Sequence, residues 1–292
     1  MSGLPPWLCV LYPFKGAGFE SPEGRLHYVD EGNGPAVVML HGNPTWSFFY
    51  RGLILGLREE YRCLAIDHLG CGLSDKPGQA AYTLQGHIDR TVAWLQHLEI
   101  PSFHLVVHDW GGAIGFGAAA AMPERVSGIS ILNTAAFPFP TIPMRIGACR
   151  IPLLGTLMVR GANAFVEGAT RMTMVRPLPE AVRQGYRYPY QSWKDRVGVN
   201  AFVKDIPMRS SHPSWQTLKA VENSLDRWRG TPVQILWGLR DWCFHEPILR
   251  EWERRLPGAE VHRFKDAGHY VLEDAGDEVL ARIRDMPGAQ RP

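Results

Sequence analysis

The stretch that most constrains this chain is Val106-Val107-His108-Asp109-Trp110-Gly111-Gly112. Before it, Phe103 to Val107 is a short apolar, partly β-branched run that fits a buried strand. After it, Gly111 to Ala121 is small and compatible with a helix. A strand that passes at once into a helix must turn tightly, and small residues after the turn allow the close approach this needs. The pattern has the shape of a nucleophile elbow with aspartate where serine usually stands, and with Val107 where the serine version carries glycine. That exchange redirects the chemistry. A serine needs a general base before it can attack, whereas an ordinary carboxylate with a pKa near ~4 is already an anion at neutral pH. The plainer reading is a turn whose aspartate caps the following helix.

Other segments favour the elbow. Ala36 to Leu40 reads as a buried strand and leads into His41-Gly42-Asn43-Pro44-Thr45-Trp46-Ser47 and an apolar helix. In elbow architectures a loop after an early strand supplies one anion-stabilising donor, and the residue after the nucleophile supplies the second. Here those are Asn43 and Trp110, whose amide and indole can both donate hydrogen bonds. Taken alone, Asn43 is a turn residue before proline. Late in the chain, Val233 to Trp237 reads as a strand followed by Gly238-Leu239-Arg240-Asp241, and Val261 to Phe264 as a strand followed by Ala267-Gly268-His269. The chain order is then nucleophile Asp109, acid Asp241, base His269. Asp241 would orient the imidazole and stabilise its charged form. Among eleven histidines, His41 and His108 read as framework beside the site and His68 as a turn residue. Glu273 and Asp274 read as capping or solvating the final helix, with Glu273 as an alternative partner for His269.

Composition sets the container. With 292 residues, 45% hydrophobic content and a net charge of +2, the chain can bury one large core. That charge, and the lack of a basic run, argue against nucleic acid as the main partner. Five cysteines, at 9, 63, 71, 149 and 243, show neither metal spacing nor a paired framework, and their odd number suits a reducing cytoplasm. No phosphate-binding glycine loop or metal-spaced histidine cluster is visible, so no cofactor and no metal are expected. Met1 to Phe14 is apolar, but it has no positive leading region and is broken by Pro5, Pro6 and Pro13. It reads as an ordered arm over apolar surface, neither a signal peptide nor a membrane span, with peripheral membrane contact left open.

Strand signals at Leu26 to Val29, Ala36 to Leu40, Arg62 to Ile66, Phe103 to Val107 and Ile129 to Leu132 alternate with helical stretches near Ser47 to Leu57, Tyr82 to Leu98 and Trp110 to Ala121. This alternation predicts an α/β fold, a mostly parallel sheet with helices on both faces. From about Pro138 to Arg229 the strand rhythm stops, and aromatic, methionine and arginine-rich segments with prolines replace it. The division expected is a core of residues 1–137 and 230–292 with a helical cap, 138–229, inserted between core strands.

At this point the chain resembles the haloalkane dehalogenase branch of the α/β-hydrolases over nearly its whole length. His41-Gly42-Asn43-Pro44-Thr45, His108-Asp109-Trp110-Gly111-Gly112, Asn163-Ala164-Phe165-Val166-Glu167-Gly168 and Val175-Arg176-Pro177-Leu178 carry the likeness. A finer resemblance, to the β-lactone decarboxylases of bacterial olefin biosynthesis, rests on Leu11-Tyr12-Pro13-Phe14, Gly70 to Pro77, Asn133 to Phe137, Arg160 to Phe165 and Gly268 to Asp274. The resemblance implies Asp109 as nucleophile, His269 as base, Asp241 as acid, and Asn43 and Trp110 as anion stabilisers. Some dehalogenases place the acid after the strand that ends here near Asn133, but Asn133-Thr134-Ala135-Ala136-Phe137 has no carboxylate.

The implied substrate is a small hydrophobic cis-3,4-dialkyl β-lactone, opened to a cis-alkene and carbon dioxide. The implied partners are neighbouring olefin-pathway enzymes, including the β-lactone synthetase. Three functional classes follow: the decarboxylase; a haloalkane dehalogenase or epoxide hydrolase, the latter drawing on Tyr186, Tyr188 or Tyr190; and a catalytically silent ligand-binding protein. Arg160 in the cap is a candidate contact for the lactone carboxylate, against the plainer reading of a surface or paired arginine.

Overall fold

Apolar residues that alternate sides along successive strands decide the architecture. In the computed structural model, which describes residues 3–285, eight strands form one sheet: β1 (Gly16–Ser21), β2 (Gly24–Glu31), β3 (Ala36–Leu40), β4 (Arg62–Ile66), β5 (Phe103–Asp109), β6 (Val126–Thr134), β7 (Val233–Gly238) and β8 (Glu260–Phe264). Their order is β1-β2-β4-β3-β5-β6-β7-β8. β2 runs antiparallel to β1 and β4, and every pairing from β4 through β8 is parallel.

Side chains on a strand alternate between faces, and both faces here are apolar. Val38, Leu40, Leu64, Ile66, Leu105, Val107, Ile129, Ile131, Ile235 and Trp237 pack into one cluster with the helices Leu84–His97, Trp110–Ala121 and Glu246–Arg255. Their chain neighbours Val37, Met39, Cys63, Ala65, Val106, Leu132 and Leu236 pack into a second cluster with Arg51–Leu57 and Gly276–Arg284. Burial on both faces is the reason these strands read as continuous apolar runs.

Two elements escaped the sequence reading. β1 is glycine-rich, lies at the sheet edge and has no buried residue, so it carries no period-two signal. Helix Glu246–Arg255 is mostly charged and buries only Ile248, Leu249 and Trp252.

Between β6 and β7 the chain is helical, with Met144–Ala148, Leu154–Thr156, a π-helical turn Leu157–Gly161, Ala164–Met172, Glu180–Arg187, Val197–Lys204 and Trp215–Ser224, ending in a 3-10 turn. Cys149, Val159, Val166, Tyr190, Val199 and Val203 form a small core within it. At the N-terminus, helix Pro6–Leu11 packs against helix Glu180–Arg187 of this region, Trp7 meeting Tyr188 edge-on at 6.2 Å. No helix among the described residues is long and apolar enough to cross a membrane.

Parallel strands share one edge for their C-terminal ends, and the loops leaving that edge hold the residues of interest. Two expectations there need correction. Glu273 does not solvate or cap a helix: it forms a two-pronged pair with Arg51 at 2.6 and 2.8 Å and also receives the Tyr186 hydroxyl. It therefore joins helix Arg51–Leu57, helix Glu180–Arg187 and the C-terminal segment, and is no partner of His269. Asp274 accepts the backbone N–H groups of Gly268, Val175 and Arg176, tying the connection before helix Glu180–Arg187 to the loop that carries His269.

The Arg51–Glu273 pair is largely shielded from solvent, so removing one partner strands a charge. Glu273→Ala is expected to cost about 3–5 kcal/mol, read as a lowered midpoint in denaturant. Arg250→Ala, which breaks an exposed pair with Glu246, should leave the midpoint unchanged.

Candidate active site

β5 ends at Asp109 and the helix Trp110–Ala121 begins at the next residue. The turn forces Asp109 to φ 52° and ψ −127°, a left-handed backbone region that non-glycine residues adopt only where surrounding structure holds them. The plainer expectation, a helix-capping aspartate, is not what the geometry shows: the carboxylate makes no capping hydrogen bond. The turn is tight because Gly111 lies against the carbonyl of Leu40, where a Cβ has no room. The Asp109 carbonyl receives the Thr134 hydroxyl from β6.

The carboxylate lies between two loops. Oδ1 accepts the backbone N–H of Asn43 at 2.7 Å, and Oδ2 faces Nε2 of His269 at 3.6 Å. Nδ1 of His269 donates to Oδ2 of Asp241 at 2.9 Å. Asp241 is held in turn by the N–H groups of Cys243 and Phe244 on Oδ1, and by the Asn133 side-chain amide on Oδ2 at 2.9 Å. Asn133, at φ 31°, also exchanges two hydrogen bonds with the backbone of Gly238, at 3.1 and 2.8 Å. The position that lacks a carboxylate thus fastens the one that has it. Phe244 stacks on the imidazole at 5.5 Å, and His108 donates through Nε2 to the His269 carbonyl at 2.9 Å.

His41 also behaves as framework. Its Nδ1 donates to the Gly42 carbonyl and its Nε2 accepts the His68 N–H, which fixes a neutral tautomer. His68 does more than turn the chain, since its buried ring bonds the His41 carbonyl.

Asp109, Asp241 and His269 are all buried, so their charges act in a poorly screened setting. Burial alone would raise the Asp109 pKa, but the hydrogen bond and charge of His269, with His108 and the Asn43 N–H, outweigh it and hold the carboxyl below its ordinary value. Burial would likewise push His269 down. Asp241 and Asp109 on its two nitrogens overcome that and lift it to about 10. At neutral pH His269 is therefore an imidazolium lying between the Asp109 and Asp241 side chains.

A cavity of about 450 Å³ opens over this row. Phe139, Ile142, Met158, Phe165, Leu218 and Ile248 contribute apolar wall, and its charged lining residues are Asp109, His269 and Arg145. Asn43 and Trp110 line it as well. The Asn43 amide gives one N–H to the Val199 carbonyl at 3.1 Å, which leaves its second N–H free, and the Trp110 indole N–H has no protein partner among the described residues.

Arg160 is not brought to the cavity. It donates to the Trp193 carbonyl and lies over the Trp193 ring at 4.6 Å. Its extended side chain is taken up by that neighbour, so the plainer reading applies. Tyr186 and Tyr190 are also spent elsewhere, on Glu273 and on the Gly72 N–H, and Tyr188 packs against Trp7. None of the three lines the cavity.

Sequence reasoning missed the clamping role of Asn133, the Thr134 bond and the closeness of Gly42, where a Cβ would collide with the Asp109 carboxylate. Only the last had a visible signal, the glycine beside Asn43. Among the described residues no cluster of three or more histidine, cysteine or acidic side chains forms a metal-binding group.

Comparison with known proteins follows the same lines. A family model described as alpha/beta hydrolase fold matches residues 35–276. A cis-3-alkyl-4-alkyloxetan-2-one decarboxylase of Shewanella oneidensis is 43% identical, with 95% of this chain and 89% of the relative covered. A protein of the same name from Xanthomonas campestris is 43% identical, with 90% and 92% covered. Among solved structures, a haloalkane dehalogenase from Bradyrhizobium elkani superposes with a TM-score of 0.85 at 25% identity, over 95% of this chain and all of that one.

Two measurements test the charge row. Asp109→Asn removes one of the carboxylates flanking His269, so its imidazole resonances should titrate at lower pH than in the wild type. Because the folded pKa lies above the ordinary 6.5, the stabilisation from this group is complete below about pH 6.5 and lost as pH rises through about 10. Separately, Asn133→Ala removes a hydrogen bond to a buried anion and should slow turnover roughly ten- to hundredfold, in line with the 1.5–3 kcal/mol of such bonds.

Proposed function

This chain belongs to the α/β-hydrolase family, and we propose that it decarboxylates cis-3,4-dialkyl β-lactones to cis-alkenes and carbon dioxide with Asp109 as the nucleophile. The observation that carries this reading is the Asp109 side chain at the strand-to-helix turn, buried at the floor of an apolar cavity with the His269 imidazole 3.6 Å from its Oδ2. The 43% identity to two proteins named for this reaction supports it.

In the proposed route Asp109 attacks the ring carbon that bears the lactone oxygen. The carbon–oxygen bond breaks, its electron pair passes to the departing carboxylate, and an alkyl ester of Asp109 forms. The bond from the adjacent carbon to that carboxylate then breaks and releases carbon dioxide. Its electrons form the alkene as the ester oxygen leaves, which restores Asp109. Inversion followed by anti elimination carries a cis ring to a cis alkene. No proton is gained or lost, so His269 works as a fixed positive charge held by Asp241. Asn43 and Trp110, with unspent N–H groups at the cavity, stabilise the carboxylate as it develops. Residues 138–229 form the cap that keeps water out. We place the reaction in the cytoplasm, where the five cysteines, all free thiols, are stable. The lactone would be supplied by an enzyme of the same olefin pathway that closes the four-membered ring.

A dehalogenase reading draws on the same constellation, because a halide is also an anion leaving saturated carbon. The epoxide reading needs an acidic hydroxyl over the nucleophile, and Tyr186, Tyr188 and Tyr190 do not supply one. Incubation of the purified protein with a cis-dialkyl β-lactone should yield cis-alkene and carbon dioxide, and Asp109→Ala should reduce the rate by roughly 10⁴-fold or more. Bromide release from a bromoalkane without lactone turnover would overturn the proposal. An Asp109 adduct bonded to a carbonyl carbon would replace the alkyl ester with an anhydride route.

A further inference from the structure

The outer wall of the cavity is unlike the rest of the surface. The segment Met144 to Gly161 lines the cavity on its inner side with Arg145, Ile146, Ala148, Cys149 and Met158, and turns Met144, Ile151, Leu153, Leu154 and Leu157 outward into solvent. Met144 is 90% exposed and Leu153 is 82% exposed. Leu153 is also held at φ +61°, a conformation that costs energy for a branched side chain and is retained where another requirement outweighs it. Leu153, Leu154 and Leu157 fall within one helical turn, joined by the bond from the Leu157 N–H to the Leu153 carbonyl. An exposed aliphatic cluster of this kind marks a surface that something covers.

Charge identifies what covers it. From Pro138 to Val166 the chain carries Arg145, Arg150 and Arg160 and no acidic residue. Elsewhere arginines commonly pair with carboxylates, as at Arg51, Arg62, Arg90 and Arg255. Of these three, Arg145 lines the cavity and contacts a methionine sulfur and the Trp242 ring, Arg150 donates to the Ile206 carbonyl with the charge of Asp205 nearby, and Arg160 contacts only the Trp193 carbonyl and ring. Trp193, itself partly exposed, stands beside Arg160 at the end of the segment. Aliphatic side chains on a segment that carries only positive charge, flanked by Arg160 and the partly exposed Trp193, fit the boundary between lipid headgroups and acyl chains. A second copy of the chain would set like charges against one another.

We propose that the Met144–Gly161 segment docks this protein on anionic lipid bilayers, with Leu153, Leu154 and Leu157 entering the acyl boundary and Arg160 meeting lipid phosphates. The contact places the cavity wall against the membrane, where a dialkyl substrate or product partitions. The docking is read by vesicle binding, so it stands or falls independently of the reaction.

The test is co-sedimentation of the full chain with vesicles of phosphatidylcholine alone or mixed with phosphatidylglycerol, at low and high salt. Binding should require phosphatidylglycerol and weaken with salt. The triple variant Leu153→Ser, Leu154→Ser and Leu157→Ser should bind about tenfold more weakly or worse. Its side chains are exposed, so an unchanged circular dichroism spectrum and melting temperature are expected. Arg160→Gln should reduce the dependence on phosphatidylglycerol without affecting folding. Absence of binding to either vesicle, or equal binding by the triple variant, overturns the proposal. So does concentration-dependent dimerisation that the triple variant abolishes without vesicle binding, which would assign the face to a second copy.

Discussion

Two buried carboxylates share one imidazole, and the rest of the site exists to make that arrangement tolerable. A buried anion without partners is costly, and here a net negative row lies under an apolar cavity. Compensation comes from donors in different loops: the Asn43 N–H after β3, the Asn133 amide at the end of β6, and the Cys243 and Phe244 N–H groups after β7. His269 itself arrives after β8. Each donor is useful only if its strand ends at the right height, so the parallel register of β3, β5, β6, β7 and β8 is part of the electrostatics. An antiparallel sheet would scatter these loops over two edges.

Much of this was legible because it is local. The elbow announces itself through a buried apolar run, a carboxylate and a stretch of small residues, and the structure puts the turn at Asp109–Trp110. His269 and Asp241 were reachable from chain order, since each follows a late strand. What stayed hidden depends on long-range closure. Nothing near Asn133 says that its amide reaches Asp241, 108 residues away, and nothing near Glu273 says that Arg51, 222 residues away, neutralises it. Acidic residues beside a predicted helix read as capping or solvated until the partner is seen. Arg160 misled in the opposite sense: a cation in a cap suggests an anionic ligand, while its actual neighbour is the Trp193 ring.

The cap and the sheet are joined by charges as well as by apolar contact. Asp274 receives two N–H groups from Val175 and Arg176 in the cap and one from Gly268, next to His269. Tyr186 reaches Glu273 from helix Glu180–Arg187. These bonds tie the helical segment between β6 and β7 to the loop that positions the imidazole.

On the proposed reading, the charge around His269 also bears on how one constellation would divide between lactone opening and dehalogenation. His269 is held protonated by Asp241 and Asp109 together, and esterification of Asp109 removes one of those anions. When a halide leaves and diffuses away, the imidazole loses that support, its proton becomes easier to shed, and it becomes competent as a base for water. When a lactone opens, the displaced carboxylate remains tethered beside the ester, and the site keeps a second anion until carbon dioxide departs. His269 then stays an imidazolium through the interval in which hydrolysis would compete. On the proposed reading the substrate's own carboxylate suppresses the hydrolytic branch, and the protein needs no separate residue to prevent it.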